Sequence, residues 1–171
     1  MRWRRALLTG TGLGLLAWGI VDARLTFGAV PGRLMLLFDG SCDFCTANAR
    51  RIRAFDRHGR VTVLPFQKPD LPDLLGLTYS QCEQAVWAVT PDGAAYRSAQ
   101  ATNLVLAVIL GSPLPLWIYA IPGLRQLQER AYVWLDANRT RLAGVTPHCE
   151  QYPEDCGQPG AHESAKPLTS V

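Results

Sequence analysis

The sequence predicts a single α/β domain, and three observations support this prediction. The segment from Leu34 to Phe38 is an unbroken apolar run, too short for a membrane span and typical of a strand that is buried on both faces. A helical pattern follows it directly, and a second short strand and a hairpin come later, in the alternation of elements that α/β folds show. The chain of 171 residues contains no internal repeat and is long enough to bury one core.

Composition divides the chain into three parts. We expect a hydrophobic anchor or signal segment over residues 1–31, one folded domain over residues 32–143 and a flexible tail over residues 144–171. The tail is expected to lack a core of its own because prolines, glycines and polar residues dominate it. The net charge of +3 is scattered and includes no basic run with interleaved aromatic residues, which argues against nucleic-acid binding.

The N-terminal segment has the pattern of membrane targeting. Its first five residues include three arginines, and residues 6–21 carry no charge. This stretch is longer than the apolar core of a signal peptide, about 7–15 residues, and shorter than the ~20 residues that span a bilayer comfortably. Asp22 and Arg24 make a poor cleavage site, which favours an uncleaved N-terminal hydrophobic helix associated with a membrane. The distribution of arginines favours a domain facing the periplasm or the outside, with a cytoplasmic protein as the alternative.

The first strand leads into a cysteine motif. Asp39-Gly40 ends the strand and Ser41 is a good N-cap, so Cys42 is expected in the first turn of a helix. Apolar residues then recur at helical spacing, at Cys45, Ala49, Ile52 and Phe55. Unpaired N–H groups and the helix dipole favour a thiolate at the start of a helix and lower the pKa of a cysteine there. The carboxylate of Asp43 beside Cys42 has a smaller, opposite effect, so the sequence does not fix the direction of the net shift in the Cys42 pKa.

These positions predict different roles for the two cysteines. Cys42 is expected to be the attacking sulfur, and Cys45, one turn deeper on the apolar face, is expected to resolve a mixed disulfide formed on Cys42. Asp39 would act on the active-site protons as a base, or would close the turn by an Asx-type hydrogen bond. The alternatives are a structural disulfide in a tethered interaction module and a module that binds zinc or copper through the same cysteines.

The remaining elements of the first half follow in order. The helix that begins at the cysteine motif is expected to end near Gly59, and the residues from Val61 to Leu64 alternate as a short strand. A loop with at most a short helix leads to a hairpin, formed by Ala85 to Val89 and Ala94 to Arg97. Pro91-Asp92-Gly93 supplies the turn of this hairpin.

The second half is predicted to be helical. Ser98 is expected to cap a helix, and the segment from Leu104 to Gly123 is free of charge and about as long as a membrane span. The prolines in this segment argue against one continuous helix, so a core helix followed by a proline-broken connection is favoured. A last amphipathic helix is expected to face the core with Leu124, Leu127, Ala131 and Trp134.

Together these motifs resemble the DCC thiol-disulfide oxidoreductases, a thioredoxin-like family also known as a domain of unknown function. The stretch from Leu37 to Cys45 is similar to the D-G-x-C-x-x-C signature of that family. The similarity continues to about Leu142, in Pro65-Phe66-Gln67, in the D-G-x-x-Y pattern of the hairpin and in the residues from Ala131 to Trp134.

The resemblance implies a thioredoxin-like fold that exchanges dithiol for disulfide. It also implies a protein or small-molecule thiol or disulfide as the substrate and an external redox partner that recharges the pair. One neighbourhood departs from thioredoxin-like folds, which commonly place a cis-proline just before the third strand. Here the residues from Ser80 to Gln84 include no proline, and Cys82 is a candidate third redox thiol or a small buried apolar residue.

The other cysteines and the absence of cofactor motifs complete the prediction. No flavin or nicotinamide fingerprint is present, so no cofactor is expected. Cys149 and Cys156 would close a small disulfide loop in an oxidising compartment. A zinc site that combines them with Cys42 and Cys45 is the alternative, but the spacing matches no common ligand pattern, and no metal ligand is assigned.

Overall fold

The computed structural model of the chain describes residues 14 and 29–157. Apart from Gly14, the predicted hydrophobic helix over residues 6–21 lies outside the described residues, and so does the chain from residue 158 onward. The predictions of a membrane anchor and of a domain facing the periplasm or the outside therefore stay predictions.

Four strands form one mixed sheet of order β2-β1-β3-β4. The strands are β1 (Leu34–Phe38), β2 (Val61–Pro65), β3 (Trp87–Val89) and β4 (Ala95–Arg97). Strands β1 and β2 are parallel, with Leu34 opposite Val61, whereas β3 is antiparallel to both β1 and β4. Because parallel neighbours need a crossover connection, the helix α1 (Asp43–Phe55) joins β1 to β2. The strands and the hairpin turn occur where the sequence predicts them.

Several helices surround the sheet in the described part of the chain. The short helices α2 (Leu71–Leu74) and α3 (Tyr79–Gln84) lie between β2 and β3. After β4 the chain continues through α4 (Ser98–Leu110), α5 (Leu114–Ala120), α6 (Leu124–Asn138) and α7 (His148–Gln151). Single 3-10 turns occur at Arg139–Arg141 and Pro153–Asp155. This mixed α/β architecture is consistent with a thioredoxin-like fold.

Strand β1 is buried on both faces, as predicted. Side chains alternate across a strand, so Leu34, Leu36 and Phe38 share one face, where they pack with residues of α1, α4 and α5. Leu37 points to the other face and is 1% exposed. It belongs to a second cluster, covered by residues of α2 and α3 and made of Leu37, Phe66, Leu77, Cys82, Trp87 and Val89. Burial on both faces holds the carboxyl end of β1, and the loop that follows it, in one position.

The uncharged segment after residue 104 is divided as the prolines predict. Helix α4 ends at Leu110, Gly111 follows with a φ of 60°, and α5 begins at Leu114 after Pro113. Leu104 is fully buried beneath the sheet. In the part of the chain described here, no helix combines the length and the apolar character that a membrane span requires. Ser98 is the first residue of α4 rather than its predicted cap, because Arg97 takes the N-cap position.

The predicted inward face of the last helix is wrong. Helix α6 exposes the predicted stripe, with Leu127 at 62% and Trp134 at 60%. Its inner side instead carries polar side chains that satisfy groups of the domain. The Tyr132 hydroxyl accepts a hydrogen bond from the backbone N–H of Val86 at 2.9 Å, and the Gln128 carbonyl oxygen accepts one from Asn103 at 2.7 Å. Buried polar groups require such partners, and this requirement orients the helix here.

Candidate active site

The candidate site lies at the sheet edge where β1 and β2 both end. Parallel strands bring their carboxyl ends to the same edge, so the loop after Phe38 and the residues after Pro65 meet there. The Phe66 N–H donates to the Phe38 carbonyl at 2.9 Å, which extends the pairing past the strands. The next residue, Gln67, accepts a hydrogen bond from the Gly40 N–H at 2.9 Å. Gln67 therefore fixes the loop that leads to the cysteines.

Cys42 is the N-cap of α1, and the sequence-based assignment of the cap to Ser41 is wrong. The backbone of Cys42 is extended, and its Sγ accepts a hydrogen bond from the Cys45 N–H at 3.1 Å. The sulfur thus takes the place of a capping hydroxyl at the positive end of the helix dipole. A thiolate at this atom would receive the same N–H, which favours the ionised form.

Cys45 lies one turn into the helix and forms a disulfide with Cys42, their Cα atoms being 5.2 Å apart. It packs against the larger core cluster, so its predicted place on the apolar face is confirmed. The same helix buries Thr46, Ala47 and Ala49. Phe55, expected on that face, is the last residue of the helix and is 72% exposed.

Asp39 has a defined set of partners. Its Oδ1 accepts hydrogen bonds from the Ser41 N–H at 3.0 Å and from Gln67 Nε2 at 2.7 Å. Its Oδ2 lies 3.3 Å from Nη1 of Arg139, and the Asp39 side chain is only 18% exposed. The bond to the Ser41 N–H is the Asx-type contact that the sequence predicts as one of two roles. Asp39 thus connects the loop to Gln67, which follows β2, by a hydrogen bond and to Arg139 at the end of α6 by an ion pair.

Gln67 and Arg139 are site residues that the sequence-based prediction did not single out. Gln67 carried a detectable signal, because a polar residue directly after the second of two parallel strands must lie near the loop after the first. Arg139 stands in the last segment that resembles the family, but no local pattern links it to Asp39 across a separation of 100 residues.

The start of the predicted tail is folded against the site. The Val145 N–H donates to the Asp43 carbonyl at 3.2 Å, and the His148 N–H donates to Thr46 Oγ1 at 3.1 Å. His148 is buried beside Phe38, with ring centroids 5.8 Å apart. The expectation of a flexible tail is therefore not met over residues 144–157. Backbone N–H groups of this segment bond α1, Gly40 and Gln67, and Nε2 of His148 lies 3.0 Å from Oδ2 of Asp155. These bonds give the segment contacts that its composition did not suggest.

Cys149 and Cys156 form a disulfide within this segment, with Cα atoms 5.6 Å apart. Cys82 is the free cysteine of the described residues and is 3% exposed. Burial, with a smaller contribution from the Asp73 carboxylate, raises the pKa of the Cys82 thiol to about 11. At neutral pH Cys82 is therefore almost entirely a protonated thiol, which agrees with a small buried apolar residue and not with a third redox thiol.

A cysteine pair at a helix start after a buried strand, at the edge of a four-stranded mixed sheet, is typical of a dithiol/disulfide protein, and the fold is consistent with the thioredoxin-like class. The profile of the DCC1-like thiol-disulfide oxidoreductase family matches residues 36–145, more than half of the chain. The chain belongs to this family, which confirms the resemblance seen in the motifs. No curated protein and no solved structure matches the chain.

Proposed function

We propose that Cys42 and Cys45 are the reactive pair of a thiol-disulfide oxidoreductase, with Cys42 attacking and Cys45 resolving. The observation that carries this proposal is the capping contact, because the Cys45 N–H at the helix start is directed at Sγ of Cys42. Membership of a family named for thiol-disulfide exchange supports it. The alternatives are less favoured. Within residues 29–157 no three His, Cys, Asp or Glu side chains come together in a way that could hold a metal ion.

The proposed reaction in the reductase direction uses both cysteines in turn. The Cys42 thiolate attacks a substrate disulfide, forms a mixed disulfide and releases one substrate sulfur as a thiolate, which takes up a proton. The Cys45 thiolate then attacks Cys42 Sγ, closing the Cys42–Cys45 disulfide and releasing the second substrate thiol. Two electrons pass to the substrate, and an external dithiol partner must restore them. The substrate is a protein or small-molecule disulfide.

The experiment that tests the proposal is a redox titration of the Cys42–Cys45 pair in glutathione buffers. We expect one reversible two-electron transition at a potential within about −120 to −270 mV, the span of known enzymes of this kind. After alkylation, trypsin separates the two disulfides, because Cys42 and Cys45 fall in peptide 34–50 and Cys149 and Cys156 in peptide 142–171. A pair that never titrates would indicate a structural disulfide, and a pair protected by co-purified metal would indicate a metal site.

We also propose that Asp39 is a positioning residue that holds the loop before Cys42. Asp39→Asn keeps an oxygen for the Ser41 N–H, so we expect exchange at pH 7 within about threefold of the unmodified chain. Asp39→Ala loses that bond, worth about 1 kcal/mol, and is expected to be about fivefold slower. The acid limb of the pH–rate profile of Asp39→Asn should move to lower pH, because removing a carboxylate favours the thiolate.

If Asp39 acts as a base, the exchange rates of the two variants should no longer differ. Asp39→Asn would then be as slow as Asp39→Ala, with a loss of about 10²-fold or more. Arg139→Gln is the matched control, because it removes the ionic partner of Asp39 and leaves the bond to Ser41 in place.

The location of the domain is a separate proposal. A membrane-tethered or exported domain is supported by the basic start of the chain and the uncharged residues 6–21.

A further inference from the structure

The second disulfide lies directly against the loop that carries the first. The Cys149 N–H donates to the Gly40 carbonyl at 3.0 Å. A Cβ added at Gly40 would come within 2.7 Å of Cys149 Sγ, so the missing side chain leaves the space that this sulfur occupies. Gly40 is two residues before Cys42 in the motif. Cys149 Sγ therefore lies against the backbone two residues before Cys42.

Both ends of the Cys149–Cys156 loop are fastened to the same site. The Gly157 N–H, next to Cys156, donates to the Gln67 carbonyl at 2.8 Å, and the Gln67 side chain bonds Asp39 and Gly40. Nε2 of His148, the residue before Cys149, lies 3.0 Å from Oδ2 of Asp155, the residue before Cys156. These contacts hold the two cysteines together without relying on the bond between their sulfurs, so the segment keeps partners on the site when that bond opens.

The cysteines of the Cys149–Cys156 pair are more exposed to solvent than the free cysteine Cys82. Cys149 and Cys156 are partly exposed, as Cys42 and Cys45 are, whereas Cys82 is buried. A partly exposed disulfide is open to attack by a thiolate, while a disulfide sealed in a core is inert. The structure thus brings two partly exposed disulfides to one edge of the sheet.

From this juxtaposition we propose that Cys149–Cys156 is a second redox pair that exchanges electrons with Cys42–Cys45. The proposal rests on the proposed function of the first pair. In the forward step the Cys42 thiolate attacks Cys149 Sγ, the Cys149–Cys156 bond breaks, and Cys156 leaves as a thiolate. The Cys45 thiolate then attacks Cys42 Sγ and releases Cys149. The first pair is oxidised, the second is reduced, and the two protons lost by Cys42 and Cys45 are balanced by protonation of Cys149 and Cys156.

This exchange gives a route by which an external partner can restore the starting redox state of Cys42–Cys45. A dithiol or disulfide partner would react with the partly exposed C-terminal pair, and the electrons would pass to or from Cys42 without the partner occupying the substrate position. If Cys149–Cys156 were a purely structural disulfide, it would stay oxidised while Cys42–Cys45 turns over.

The test traps the mixed disulfide between the two pairs. The variant Cys45→Ser with Cys156→Ser leaves Cys42 and Cys149 without their resolving partners, and oxidised glutathione is then added to the folded chain. We expect an intramolecular Cys42–Cys149 bond, seen by mass spectrometry as tryptic peptide 34–50 linked to peptide 142–171. The matched control, Cys45→Ser with Cys149→Ser, leaves Cys156, whose neighbour Gly157 bonds Gln67 and not Gly40, and should give at least about tenfold less linked peptide.

Two further readouts separate the possible failures. If the linked peptide is absent while Cys42 forms a mixed disulfide with glutathione, the second redox pair is wrong and the proposed function stands. If Cys42 does not react with glutathione either, both proposals are wrong. A measurement that keeps both cysteines of the second pair guards against misfolding of the double variants. Cys42→Ser alone should slow the oxidation of reduced Cys149 and Cys156 by a protein disulfide substrate about tenfold, because that substrate reacts at Cys42, and an unchanged rate overturns the exchange.

Discussion

Replacing Cys42 with serine is expected to reduce disulfide exchange to the uncatalysed rate, a loss of about 10³-fold or more. The substitution keeps an oxygen that can cap α1, so the fold should persist while the nucleophile is lost. Cys45→Ser should instead accumulate a mixed disulfide between Cys42 and the substrate, because nothing resolves it. The measurement is reduction of a protein disulfide substrate, with mass analysis of acid-quenched samples.

Cys82→Ser is the matched control for these two variants. Cys82 lies in the second core cluster and its thiol is protonated at neutral pH, so its loss should leave the exchange rate per folded molecule within about twofold. If Cys45→Ser turned over normally, or if Cys42→Ser kept exchange while Cys45→Ser lost it, the assigned roles would be reversed or wrong.

Leu37→Ala is expected to lower the free energy of unfolding by about 2–5 kcal/mol, the cost of deleting a fully buried leucine and leaving a cavity. Leu37 is 1% exposed and packs with Phe66 and Trp87 beneath the loop. The cavity would open under the strand that supports Asp39 and Gly40. Urea unfolding monitored by circular dichroism measures the change.

Phe55→Ala is the matched control for that prediction. Sequence periodicity places Phe55 in the core, whereas the structure leaves it 72% exposed at the end of α1. We expect its substitution to change the free energy of unfolding by about 0.5 kcal/mol or less. Equal losses for the two variants would contradict the packing of α1 described above.

Local patterns were enough to predict the strand β1, the helix after it and the cysteine pair at their junction. Each of these features depends on residues that are close together in the sequence: an unbroken apolar run, an Asp-Gly turn and two cysteines three residues apart. The residues that decide such local structure can be read directly from the sequence. The hairpin was predictable for the same reason, since Pro91-Asp92-Gly93 sets its own turn. The placement of Cys45 on the apolar face of α1 also followed from helical spacing.

The orientation of α6 could not be predicted in this way. Its apolar stripe has the spacing of an inward face, yet Leu127 and Trp134 are exposed. The helix is oriented by hydrogen bonds that Tyr132 accepts from Val86, the residue before β3, and that Gln128 accepts from Asn103 on α4. Spacing within a helix carries no information about partners on other elements.

The sequence by itself determined the cysteine pair and its place at a helix start, because the C-x-x-C spacing and the helix start are local. The tertiary structure alone decided what surrounds it. Arg139 reaches Asp39 and Cys149 reaches Gly40 across about a hundred residues of chain. Such contacts form only when the whole sheet edge is assembled, since each is a hydrogen bond or ion pair between groups that no local pattern links.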